Sequence, residues 1–206
     1  MKQYFVTGVG TDVGKTVASA ILVEALQADY WKPVQAGELD NTDTMKVCSL
    51  VSNTKSVFHS ETYRLFTAMS PHAAADLENI QIDIEKINLP ATANTMIIEG
   101  AGGLMVPLND NFLVIDLIKK INAEVILVSQ NYLGSINHTL LSVEVLKNRG
   151  IPVAGIIFNG KQTKSSEEFI MKYTGLKCLL RIKEEKNIDR ETILKYASLL
   201  PIHSFS

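Results

Sequence analysis

The chain has 206 residues, 46% of them hydrophobic, and a formal net charge of -2. That length suits one domain over residues 1–206, and the balanced charge lacks the basic footprint of a nucleic-acid binder. The longest apolar runs, such as Val125–Val128, are strand-length and argue against a membrane span. A strand-like "QYFVT" opens the chain with no signal-peptide pattern, so the expectation is a cytoplasmic protein. Cys48 and Cys178 lie far apart without metal-ligand spacing and read as ordinary thiols of a reducing compartment.

Taken in order, "YFVT" (4–7) reads as a buried strand. Residues 14–27 place Val17, Ile21, Leu22, Ala25 and Leu26 at helical spacing. "YWKPV" (30–34) reads as a second strand, with Pro33 marking its end or an edge. Residues 43–52 look helical, and 53–94 are the least readable stretch, expected to hold an excursion over the carboxyl end of a sheet. "TMIIEGAGG" (95–103) is a strand running into glycines, 114–121 a helix and 124–130 a strand. A helix over 136–150 closes at Gly150, ahead of Pro152. Then come a strand at 153–159, a helix near 165–174, a short strand at 178–182 and a helix near 189–199. Strands rich in Val and Ile, separated by helices, predict an α/β fold: a mostly parallel sheet with helices on both faces.

Between the first strand and helix lies "TGVGTDVGKT" (7–16). The standard phosphate loop is G-x-x-x-x-G-K-[ST], but the position five before Gly14 is Val9, flanked by Gly8 and Gly10. The context is still that of a phosphate loop: glycines let backbone N–H groups point inward, and a helix N-terminus adds partial positive charge. Lys15 would reach the terminal phosphates, and Thr16 would offer a hydroxyl to Mg2+.

The displaced glycine has a parallel. The loop closely resembles that of dethiobiotin synthetases, T-G-[TV]-[DG]-T-[DE]-V-G-K-T. Further segments resemble that family in the right order: "WKPVQAG" (31–37), "NTD" (41–43), "SPH" (70–72), "EGAGGLMVPL" (99–108), "LGSINHTLL" (133–141) and "GIIFN" (155–159). Each is weak alone; the ordered set is specific. The resemblance implies an ATP-dependent C–N ligase of biotin biosynthesis. Carbon dioxide adds to an amine of 7,8-diaminononanoate, ATP phosphorylates the carbamate, and the second amine closes the ureido ring. ATP is then a co-substrate and Mg2+ the cofactor.

The resemblance also assigns roles. Lys15, Lys32 and Thr11 are the catalytic candidates, with Thr11 between substrate and phosphate. Asp12, Val13, Gly14, Lys15, Thr16 and Val17 would hold ATP, with Asp43, Glu99, Gly100, Ala101 and Gly102. Asn159 and Gly160 would meet adenine, since an amide offers an acceptor and donors. Thr16, Asp43 and Glu99 supply the oxygens that Mg2+ prefers. Gly134, Ser135, Ile136 and Asn137 would receive the substrate's carboxylate from the other subunit of a homodimer, with Ser135 as a plausible helix N-cap. His59, His72, His138 and His203 read as structural.

There are departures. Ala36 stands where the family usually has Ser or Thr, and "RIKEE" (181–185) lacks the proline common near the adenine site. The alternatives are a partitioning-ATPase switch, against which Gly10 stands in place of the signature lysine, and a glutamine-dependent synthetase, for whose extra domain there is no room.

Overall fold

The computed structural model describes residues 2–205. Its centre is a seven-stranded sheet, parallel throughout. Strand β1 (Gln3–Gly8) leads into helix α1 (Lys15–Leu26). Strand β2 (Asp29–Trp31) stops before Lys32 and Pro33, and β3 (Val34–Ala36) leaves the main sheet. The "YWKPV" strand is thus two strands. Pro33 has no N–H for a ladder, so the break falls there.

Helix α2 (Asp43–Leu50) begins at Thr42, whose hydroxyl accepts from the Met45 N–H. Next come β4 (Phe58–His59), β5 (Tyr63–Leu65) and α3 (Pro71–Leu77), which opens on proline. Strand β5 pairs with β3 as a separate two-stranded ribbon. Strand β6 (Met96–Gly103), α4 (Val114–Ile121), β7 (Glu124–Gln130), α5 (Ser135–Asn148), β8 (Val153–Asn159), α6 (Lys164–Thr174), β9 (Cys178–Ile182) and α7 (Arg190–Ala197) complete the chain. No helix among the described residues is long and apolar enough to cross a membrane.

The strand order is β4-β2-β6-β1-β7-β8-β9. The chain moves to one side of β1 for β2 and to the other for β7, so the strand order reverses at β1. Ligand crevices of open α/β sheets form at such points, beyond the carboxyl ends of the strands.

Neighbouring strand residues bury on opposite faces. Tyr4 and Val6 pack with Ile21, Leu22 and Ile193 from α1 and α7, whereas Phe5 packs with Ile98, Ile115 and Ile118 beside α4. Continuous apolar runs are what a sheet covered on both sides demands.

The unread stretch is anchored by one carboxylate. Asp29, at the start of β2, accepts from the Val57 N–H at 3.0 Å, the Thr92 hydroxyl at 2.6 Å and Asn94 Nδ2 at 3.1 Å. Val57 and Thr92 lie near the two ends of that stretch, so Asp29 pins both. Burial would raise the Asp29 carboxyl. The bonds from Thr92, Val57 and Asn94 outweigh this and hold it below its ordinary value. A depressed carboxyl contributes stability above the unfolded pKa of about 3.9, lost as pH falls through the lower folded value. Urea unfolding between about pH 5 and pH 3 should therefore show an acid loss that Asp29→Asn reduces. An unchanged pH profile in that variant would contradict the anchor.

Candidate active site

A crevice of about 1050 Å³ opens over the carboxyl ends of β1, β2 and β6. Thr11, Asp12, Gly14, Lys15, Thr16 and Val17 line one side, and Lys32, Asp43, Glu99, Ala101 and Gly102 the floor. Ala68–Pro71 close the far side, so part of the unread stretch does lie over the sheet as expected.

The displaced glycine now has a local reason. A Cβ on Gly8 would stand 2.5 Å from Val13 Cγ2 and 2.7 Å from the Gly10 carbonyl. The loop therefore folds back on Gly8 itself, at the end of β1. Gly14 has φ +93°, and a Cβ there would lie 2.2 Å from Asn159 Nδ2. That same amide donates to the Val13 carbonyl at 2.9 Å. The phosphate loop and the predicted base contact are thus bound together.

Sheet register brings the charged groups into one place. Trp31 pairs with Ile98, so Lys32 follows beside Glu99, and Val6 pairs with Glu99 from the other side. Lys32 is 5% exposed and Glu99 1%. Lys32 Nζ donates to Asp43 Oδ2 and, at 3.3 Å, to Glu99 Oε1. Thr16 Oγ1 donates to the same Glu99 oxygen at 2.9 Å. Lys15 Nζ donates to the Gly10 carbonyl at 3.0 Å.

Electrostatics separates the two lysines. Burial lowers the Lys15 ammonium from its ordinary value, more than Glu99 raises it. Burial also lowers Lys32, but Glu99 and Asp43 outweigh it and raise the ammonium above its ordinary value. Glu99 and Asp43 thus favour the charged form of Lys32. Burial would raise the Asp43 carboxyl, but Lys32 first and then Lys46 hold it low.

Thr16, Asp43 and Glu99 converge here, so hard oxygen donors already face a cationic centre. That donor set fits Mg2+, whose remaining positions would be filled by water and phosphate. Among the described residues there is no cluster of three His, Cys, Asp or Glu that would hold a metal without them.

Three features were not read from the sequence. Tyr30, fully buried, donates its hydroxyl to Glu99 Oε2 at 3.0 Å. Gln35 Oε1 accepts the Asp43 N–H at 3.3 Å. Lys46 lines the crevice, paired to Glu38 and 3.6 Å from Asp43 Oδ1. Tyr30 and Lys32 are two apart around the end of one strand, a period-two signal that would have linked them.

A Cβ on Gly100 would stand 2.6 Å from Phe5 Cε1, so close packing against Phe5 requires a glycine there. One expectation is corrected. The cap of α5 is Gly134, with φ +101°, and Ser135 is the first helical residue, 2% exposed. Glycine takes the left-handed turn there without a Cβ penalty. Gly134, Ser135, Ile136 and Asn137 do not line their own chain's crevice, and the preceding Leu133 is 103% exposed. Ala36 does line it and brings no polar group.

A glycine loop, a lysine and a helix N-terminus at the switch point of a parallel sheet define a P-loop nucleotide-binding protein. A family model described as an AAA domain matches residues 2–192. The septum site-determining protein MinD of Pyrococcus horikoshii, solved with Mg-ADP, shares the fold at TM-score 0.60 and 14% identity, covering 99% of this chain and 98% of that one. A ParA family ATPase of Chlorobium tepidum does so at TM-score 0.57 and 16% identity, covering 100% and 95%. Sequence goes further. The ATP-dependent dethiobiotin synthetase of Christiangramia forsetii is 55% identical over 196 residues, 95% of this chain and 94% of its own. That of Cytophaga hutchinsonii is 54% identical over 198 residues, 96% of each chain. The chain belongs to the ATP-dependent dethiobiotin synthetase family.

Tyr30→Phe should cost about 2 kcal/mol of stability, because it strips a buried carboxylate oxygen of its donor. Denaturant unfolding measures this, and an unchanged midpoint would show that the hydrogen bond contributes nothing.

Proposed function

We propose that this chain, acting as one unit over residues 1–206, is a dethiobiotin synthetase. It joins carbon dioxide to 7,8-diaminononanoate with ATP as co-substrate, giving dethiobiotin, ADP and phosphate. The observation that carries the reading is Lys32, a buried ammonium held at the crevice floor by Asp43 and Glu99 beside the phosphate loop.

The reaction needs three steps. One amine adds to carbon dioxide, losing a proton, and becomes a carbamate. A carbamate oxygen attacks the γ-phosphorus and ADP leaves. The second amine attacks the carbonyl carbon of the mixed anhydride, phosphate leaves with that oxygen, and the ring closes with loss of a proton.

Phosphoryl transfer asks a protein mainly for positioning and charge neutralisation. Lys32 supplies a permanent positive charge for the carbamate and the transferring phosphoryl group. Lys15 turns from the Gly10 carbonyl to the terminal phosphates. Thr11, at the exposed loop tip, meets substrate on one side and phosphate on the other, and Asp12 lies beside it. Val13, Gly14, Thr16 and Val17 form the phosphate cradle with Ala101 and Gly102. Thr16, Asp43 and Glu99 would hold Mg2+, which when bound neutralises phosphate charge. Asn159 and Gly160 face the base. The Gly134–Asn137 segment would serve the crevice of a second copy, where its helix N-terminus receives the substrate carboxylate. Its absence from its own crevice and the bare Leu133 side chain support that arrangement.

The test is direct. Protein with diamine, bicarbonate, Mg2+ and ATP should yield a compound heavier than the diamine by one carbon and one oxygen and lighter by two hydrogens. Folded protein that forms none would refute the reading. Lys15→Ala and Lys32→Ala should each lower turnover by about a hundredfold or more. Full turnover in Lys32→Ala would remove its role. Sedimentation should show a dimer, and an active monomer would refute the shared site.

A further inference from the structure

Behind the predicted base contact lies a side-chain cluster that the reaction does not use. Glu167, on α6, is a carboxyl side chain only 4% exposed. Its carboxylate pairs with the Arg181 guanidinium from β9, accepting from Nε at 2.9 Å. It also accepts from Asn131 Nδ2 at 2.5 Å and Gln162 Nε2 at 3.5 Å. The same groups hold the loop that follows β8. Arg181 Nη1 donates to the Gly160 carbonyl at 3.3 Å, and Asn131 Nδ2 to the Lys161 carbonyl at 3.1 Å. The Gly160 N–H donates to the Ile182 carbonyl at 3.0 Å.

Every residue from Asn159 to Gln162 is therefore tied. Asn159 itself is bonded forward to Val13, one residue before Gly14 of the phosphate loop. Burying an ion pair is rarely the best route to stability, because desolvation offsets the attraction. What this pair supplies instead is direction: a planar guanidinium that links the Glu167 carboxylate to one loop carbonyl. A loop carrying a base-reading amide must be fixed to within a fraction of an ångström to discriminate.

We propose that Arg181 and Glu167 are positioning residues for nucleotide recognition. They fix the 159–162 loop so that the Asn159 amide meets the edge of the base, and they thereby set the preference for ATP over other nucleoside triphosphates. The proposal rests on reading Asn159 as the base contact.

The experiment compares kcat/KM for ATP with that for GTP in the wild type, Asn159→Ala, Arg181→Met, Arg181→Lys and the double variant Glu167→Gln/Arg181→Met. The double variant leaves no unpaired buried charge, so it guards against a failure to fold. Arg181→Met and the double variant should raise the KM for ATP about tenfold, more than they lower kcat, and cut the ATP/GTP ratio by a similar factor. Arg181→Lys, which keeps a donor, should recover part of both. A lowered ratio in Asn159→Ala with wild-type ratios in both Arg181→Met variants would overturn the positioning role alone. A wild-type ratio in Asn159→Ala, or no preference in the wild type, would overturn the base reading and the proposal with it.

Discussion

The structure turns on one buried ammonium. Lys32 lies at the bottom of the crevice, nearly closed to water, and carries its charge because Glu99 and Asp43 stand against it. Without those carboxylates burial would drive the group towards its neutral form. Without the lysine, the buried Glu99 and the half-buried Asp43 would lose their shared counter-charge. The three are interdependent. A triphosphate entering this crevice would meet two lysines on its lining.

The fold exists to bring these groups together from four separate elements. Glu99 comes from β6, between β1 and β2 in the sheet; Lys15 and Thr16 come from the start of α1; Lys32 follows β2; and Asp43 begins α2. Strand register fixes the first pairs. The break at Pro33 then releases the chain from the sheet so that β3 and β5 can build the far wall. Tyr30, fully buried, holds one Glu99 oxygen, Oε2. A tilt of that carboxylate would disturb Lys32 and Thr16 together, since both bond its other oxygen.

Much of this was legible in the sequence, and the limits have physical causes. The central strands and long helices announce themselves because their apolar periodicity is local. The phosphate loop is legible because its glycines and GKT are contiguous. Lys32, Asp43 and Glu99 are each ordinary in isolation, and only the ordered resemblance linked them before the register did. The Tyr30–Glu99 bond is not legible in the sequence, because its partners lie 69 positions apart. Strands of two and three residues in the 53–94 stretch are too short for any period to show, and the carboxylate that pins them lies outside it. The cap of α5 falls on Gly134 rather than Ser135, because spacing does not report which of two adjacent residues makes the turn. The Arg181–Glu167 pair joins a strand to a helix and has no sequence signature.

The reaction proposed for this crevice phosphorylates a carbamate and then closes a ring on it, and the oxygen transferred to phosphate can be followed by isotope. With oxygen-18 bicarbonate, diamine and unlabelled ATP, measured before exchange with water, each dethiobiotin formed should be matched by one phosphate carrying an oxygen from bicarbonate. Dethiobiotin formed alongside unlabelled phosphate would show that the carbamate is not phosphorylated.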